Sequence, residues 1–243
     1  MFGDSMNKEN LMDKLVEAIN KIESKKCVSY DEKVTFWKKQ FDNKSALKWN
    51  DSIIDLENQY LKSSLARRKL LNCYDIVSLA SVAEEYKDKV IIWDDDVTTM
   101  VVDALVIPAS YDICDNKERK LHDIYYCNGI RLRKKIITIM DGEKLKKNEV
   151  LITRSYNVLA DYIMHVYYDK IRDSIINVME CARVNMVKTL VICLGGDIKD
   201  VKVVYSTVLE YLSKYDMMFD KVILSIEKKD IRDNFIEELN KEA

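Results

Sequence analysis

Two turns hold most of the chemistry this sequence offers. Asp94-Asp95-Asp96 follows a short apolar run, and Gly195-Gly196-Asp197 follows another. Two glycines before a helix can cradle an anion, because the helix start presents unpaired N–H groups and the positive end of its dipole. Asp197 would compete with a phosphate for those donors, and the alternative is a tight turn with Asp197 or Asp200 capping the helix. The Asp94-Asp95-Asp96 turn likewise reads either as a ligand-facing loop or as a solvated acidic turn. The six cysteines (27, 73, 114, 127, 181, 193) form no CxxC pair, so the sequence suggests neither a zinc ribbon nor a disulfide framework. Cys114, His122 and Cys127 are chemically suited to a metal, but positions 122 and 127 lie five apart, an awkward separation for one face of a helix. His165 sits inside an apolar strand and reads as a tethered core histidine. No Ser/His/Asp or Cys/His nucleophile pair stands out, so no catalytic residue is assigned.

The elements around these turns follow from hydrophobic periodicity. The first ~75 residues read as helical. Leu11, Leu15, Ile19 and Ile22 share one face, Ser29 and Glu32 have capping-box spacing, and a third helix is expected over 51–71. From Lys89 the pattern changes. Strands are expected at 90–93, 102–107, 149–152, 162–166, 189–194 and 221–226. Helices are expected at 117–140, 170–185, 200–214 and 231–241. This alternation predicts a largely parallel sheet covered on both faces, with ligands at the carboxyl ends of its strands.

Composition bounds the function classes. A chain of 243 residues with 48% hydrophobic and 33% charged residues can bury a sizeable core, and one Pro and five Gly leave little room for linkers. The formal net charge of −2 supplies no long-range field for nucleic acid or an anionic membrane, so neither is expected as a partner. No stretch approaches the roughly 20 apolar residues of a membrane span, and the polar Met1–Asn10 lacks a secretory signal's apolar core. A soluble protein of a reducing, cytoplasmic compartment is expected.

The segment Ile92-Trp93-Asp94-Asp95-Asp96-Val97-Thr98-Thr99-Met100-Val101-Val102-Asp103-Ala104-Leu105-Val106 resembles the opening signature of macrodomains, the ADP-ribose-binding modules. There a strand leads into Gly-Asp-Ile-Thr, then into a Val-Asp-Ala-Ile-Val strand ending in Asn-Ala-Ala-Asn. Gly129-Ile130-Arg131-Leu132-Arg133 resembles the helix after the first ligand loop. The stretches 151–159 and 162–166 resemble the family's Lys-Ile-Thr…Tyr-Asn-Leu-Pro…Tyr-Val-Ile-His-Thr-Val run. The helical extension and the surroundings of Trp93 look most like the bacterial zinc-dependent protein-ADP-ribose hydrolases. The resemblance implies a three-layer α/β/α macrodomain with a mixed, mostly parallel sheet over 76–243, preceded by a helical extension over 1–75.

The resemblance also assigns residues. Asp96 falls on the family's adenine-recognising Asp: its carboxylate would accept from the exocyclic amine while the N–H of Val97 donates to the ring. Asp95 replaces the preceding glycine. Ser110 of Ile107-Pro108-Ala109-Ser110 stands where an Asn would contact the terminal ribose. Tyr111 to Leu121 contains no glycine, so the backbone donors that approach a diphosphate closely are lost. Gly195 and Gly196 keep part of the second phosphate loop, followed by Asp197 and by Ile198 in place of a ligand-packing aromatic. Tyr125 stands at the last zinc-ligand position, so no metal and no cofactor are expected. Three readings remain: a catalytically inactive binder of ADP-ribose, a related adenine nucleotide or an ADP-ribosylated protein; an ADP-ribosyl hydrolase with a rearranged site; and a scaffold whose helical extension contacts a protein partner.

Overall fold

The computed structural model describes residues 7–21, 27, 29–80, 82–111, 113, 122–194 and 201–242. The N-terminal region holds α1 (Lys8–Asn20), α2 (Tyr30–Asp42) and α3 (Asp51–Leu65). The side chain of Asn7 accepts from Glu9, and that of Asn50 from Ile53. Ser29 and Glu32 make the reciprocal capping box expected from their spacing. The third helix ends at Leu65, short of the expected 71. Leu71–Asn72 forms a strand, β1, that pairs in parallel with Met100–Val101. Its two residues are too few to show a period, which is why the sequence read as helical there.

The remaining strands are β2 (Val90–Trp93), β3 (Met100–Pro108), β4 (Val150–Arg154), β5 (Ala160–Val166), β6 (Thr189–Leu194) and β7 (Lys221–Ile226). They lie in the order β2-β7-β6-β3-β5-β4, with β1 beside β3 off this path. Only the β4–β5 pair among these is antiparallel. The mixed, mostly parallel sheet is therefore as expected. Its strands alternate between two cores, as the period of two requires. Leu190, Ile192 and Leu194 face α6 (Ile171–Val184), α7 (Val201–Tyr215) and α8 (Lys229–Glu242). Val191 and Cys193 face α4 (His122–Asn128) and α5 (Ile130–Met140). A third cluster joins α1–α3 to Tyr126 and Ile130.

The single helix expected over 117–140 is two helices where it is described. Gly129, at φ +78° and ψ −178°, breaks the path between α4 and α5. No side chain of Gly129 can cap α5; instead Glu57, carried by α3, accepts from the Ile130 N–H at 2.7 Å. Any Cβ at Gly129 would stand 2.9 Å from the Glu57 carboxylate oxygen and 2.9 Å from Leu61, so glycine is required by both conformation and space.

Candidate functional site

At the carboxyl ends of β2, β6 and β7, where α4 begins, the surface opens into a cleft of about 370 Å³. Its lining includes Asp94, Asp95, Asp96, Val97 and Thr98 after β2, Asp123 and Ile124 of α4, Cys193 and Leu194 of β6, and Ser225 and Glu227 from β7. A cleft at the carboxyl edge of a parallel sheet is the default ligand position in such folds.

The turn after β2 is held by its own side chains. Asp96 Oδ1 accepts from the Thr98 N–H at 2.8 Å and from the Thr98 hydroxyl at 2.7 Å, capping a short 3₁₀ turn over Val97–Thr99. Asp95 Oδ1 accepts from the Asp96 N–H at 2.7 Å. Val97 is the first residue of the turn, where a helical N–H finds no partner inside the helix. Asp96 Oδ2 is paired with the guanidinium of Arg68, three residues beyond α3.

The cleft is acidic. Three of its carboxylates have cations: Asp96 with Arg68, Asp94 with Arg232 of α8 at 2.7 Å, and Asp123 with Lys38 of α2 at 3.3 Å. Asp95 and Glu227 add further negative charge to the same walls. Burial pushes the Cys193 thiol up to about 12, with the Glu227 carboxylate acting in the same direction. Burial also raises Cys127, against the pull of Arg68. Both sulfurs are therefore neutral thiols near pH 7 and poor nucleophiles.

Of the expected ligand residues, the structure brings Asp96 and Val97 to the cleft. Ser110 stands two residues past β3 at the same edge, outside the cleft lining. Gly195, Gly196, Asp197 and Ile198 lie outside the described residues, as does Cys114. His165 is fully buried, with Nδ1 3.0 Å from the Tyr125 hydroxyl and Nε2 3.1 Å from the Thr153 hydroxyl. It is a core histidine held from both ring nitrogens. Arg68, Arg232, Asp123 and Glu227 were not legible as site residues. The one local signal was the basic run Arg67-Arg68-Lys69 just past a helix end.

Comparison with known proteins bears on the fold. No family model matches the sequence. It is 26% identical over 109 residues to the Protein GDAP2 homolog of Drosophila melanogaster, and 27% over 112 residues to that of Drosophila pseudoobscura pseudoobscura. Each match takes in 43% of this chain and only 20% of the relative's length. The Trypanosoma brucei macrodomain in complex with ADP-ribose superposes with a TM-score of 0.61 over 96% of this chain and 97% of its own, at 14% identity. The fold is that of a macrodomain. The GDAP2 macro domain superposes with a TM-score of 0.58 at 16% identity, covering 71% of this chain and 97% of that one. The Oceanobacillus iheyensis macrodomain with ADP gives 0.55 at 15% identity, over 63% of this chain and 90% of its own. In this macrodomain fold the segment that resembled the family's opening signature forms β2, the acidic turn and β3, in that order.

Proposed function

We propose that this chain belongs to the macrodomain family and binds ADP-ribose or a related adenine nucleotide, free or attached to a protein, without turning it over. The observation that carries the reading is the placement of Asp96 and Val97 on the wall of the carboxyl-edge cleft. A carboxylate and the following N–H there offer an acceptor and a donor to the edge of an adenine ring. The solved T. brucei and O. iheyensis macrodomains hold ADP-ribose and ADP, which supports the ligand class. Inactivity rests on the glycine-free stretch 111–121 and on the neutral Cys193 thiol of the cleft.

Membership of the zinc-dependent branch is not supported. Tyr125, at the position of the last metal ligand, spends its hydroxyl on buried His165. Unbridged Cys27, Cys73, Cys127, Cys181 and Cys193 suit a reducing compartment such as the cytoplasm. One observation favours the scaffold reading instead: Thr98 and Arg68 already occupy both oxygens of Asp96. Calorimetric titration of ADP-ribose decides between them. Saturable binding, with no ADP-ribose released from modified protein, is the expected result; silence at millimolar ligand would sink the binding reading.

A further inference from the structure

We infer that Arg68 sets the base selectivity of this cleft: a guanidinium donor beside the Asp96 acceptor admits a 6-oxopurine as well as adenine. The inference rests on the nucleotide reading above and names a residue supplied from outside the acidic turn. Asp96 Oδ1 is committed to two donors of Thr98, at 2.8 Å and 2.7 Å, so Oδ2 is the oxygen left to recognise a base. That oxygen carries the Arg68 guanidinium. Among the described residues, the Arg68 side chain also meets Cys127 Sγ at 4.0 Å, a neutral thiol, so Asp96 is the carboxylate that answers its charge. Both side chains stay partly open, at 34% and 43% exposure, so a ligand edge can reach them together.

An unaccompanied carboxylate selects adenine, because the 6-amino group donates to it while a 6-oxo group presents acceptor to acceptor. A guanidinium alongside reverses part of that penalty. Arg68 can donate to the 6-oxo oxygen while the ring N1–H of the same base donates to Asp96 Oδ2. For adenine the same guanidinium competes with the amine for one oxygen. The pair therefore reads position 6 in either chemical form.

The test compares ADP-ribose with inosine diphosphate ribose by calorimetry in wild type, Arg68→Met and Arg68→Lys. Wild type should bind the two within about fivefold. Arg68→Met should raise the preference for ADP-ribose at least about tenfold, the worth of one lost bond to a charged group. Arg68→Lys keeps a donor and should stay near wild type. Should Arg68→Met fail to melt cooperatively, Arg68→Ser is read in its place. An unmoved ratio in the Met variant, or a wild type that already prefers ADP-ribose by more than about a hundredfold, overturns the role of Arg68 alone. Silence of both ligands in wild type overturns the nucleotide reading and this inference with it.

Discussion

Asp95 and Asp96 are neighbours with opposite expected effects. The place of Asp96 on the cleft wall was legible because the apolar run, the turn and the following strand agree in register with the family pattern. Its partner Arg68 was not, since nothing in a linear sequence says where the chain goes after a helix ends. Asp95 replaces the family's glycine, and its carboxylate now accepts the Asp96 N–H at 2.7 Å. Asp95→Ala should free that donor and remove one negative charge near the nucleotide's diphosphate. At about 4 Å in water such a charge is worth about 1 kcal/mol, so ADP-ribose binding should tighten roughly fivefold. Asp96→Ala should weaken it by about 1.5–3 kcal/mol, roughly 10- to 150-fold. It should also lower the melting temperature, because the 3₁₀ turn loses its cap. Calorimetry and thermal melts on the two variants give both numbers. Equal weakening by both would mean that Asp95, too, holds the ligand.

At the scale of elements, the sequence could not show why α5 starts where it does. Hydrophobic spacing runs on through 117–140, and the break needs both Gly129 and an acid from α3. Glu57 is fully buried, accepting from the Trp37 indole at 2.9 Å and the Ile130 N–H at 2.7 Å. Burial pushes its carboxyl up from 4.5 to about 7, although both donors and the nearby Lys134 and Arg131 pull it down. The folded state thus holds a proton that the unfolded chain releases. Stability from this group is fully present below about 4.5 and is lost as pH rises through 7. Between about pH 5 and pH 8 it should cost about 2 kcal/mol. Glu180, held down at about 2 chiefly by Arg183, and Cys193, raised to about 12, titrate outside that window. Urea unfolding at the two pH values should show a loss of stability about 2 kcal/mol larger in wild type than in Glu57→Gln, whose amide does not titrate. An equal slope in both proteins would assign the pH dependence elsewhere.

At the scale of the whole molecule, the sheet was the most legible feature, because each strand between two helical layers must be apolar on both faces. All six residues of β6 are buried, and the run 189–194 showed it. The relation of the first 65 residues to that sheet was not legible, since an amphipathic helix does not name its partner. The structure joins them at several points. Tyr126 and Ile130 sit in the core of α1–α3, Tyr126 donates to Asp42, and Asn157 Nδ2 donates to Asn58 Oδ1 at 2.9 Å. Arg133 donates to the carbonyls of Phe41 and Asn43. We therefore expect the helices to be a third helical layer of one cooperative unit and not a separable extension. A fragment spanning 70–243 would expose Tyr126 and Ile130, each worth about 1.5–3 kcal/mol of burial. It would also give up the net worth of the Arg133 and Ile130 N–H hydrogen bonds, roughly 2–4 kcal/mol together. Those losses, about 5–10 kcal/mol together, are of the size of the whole stability of an ordinary domain, about 5–15 kcal/mol. The fragment should therefore lack a cooperative urea transition and a near-UV circular dichroism signal. A sharp transition within about 1 kcal/mol of the full chain would instead make residues 1–69 an appendage that reaches the cleft through the ion pairs Arg68–Asp96 and Lys38–Asp123.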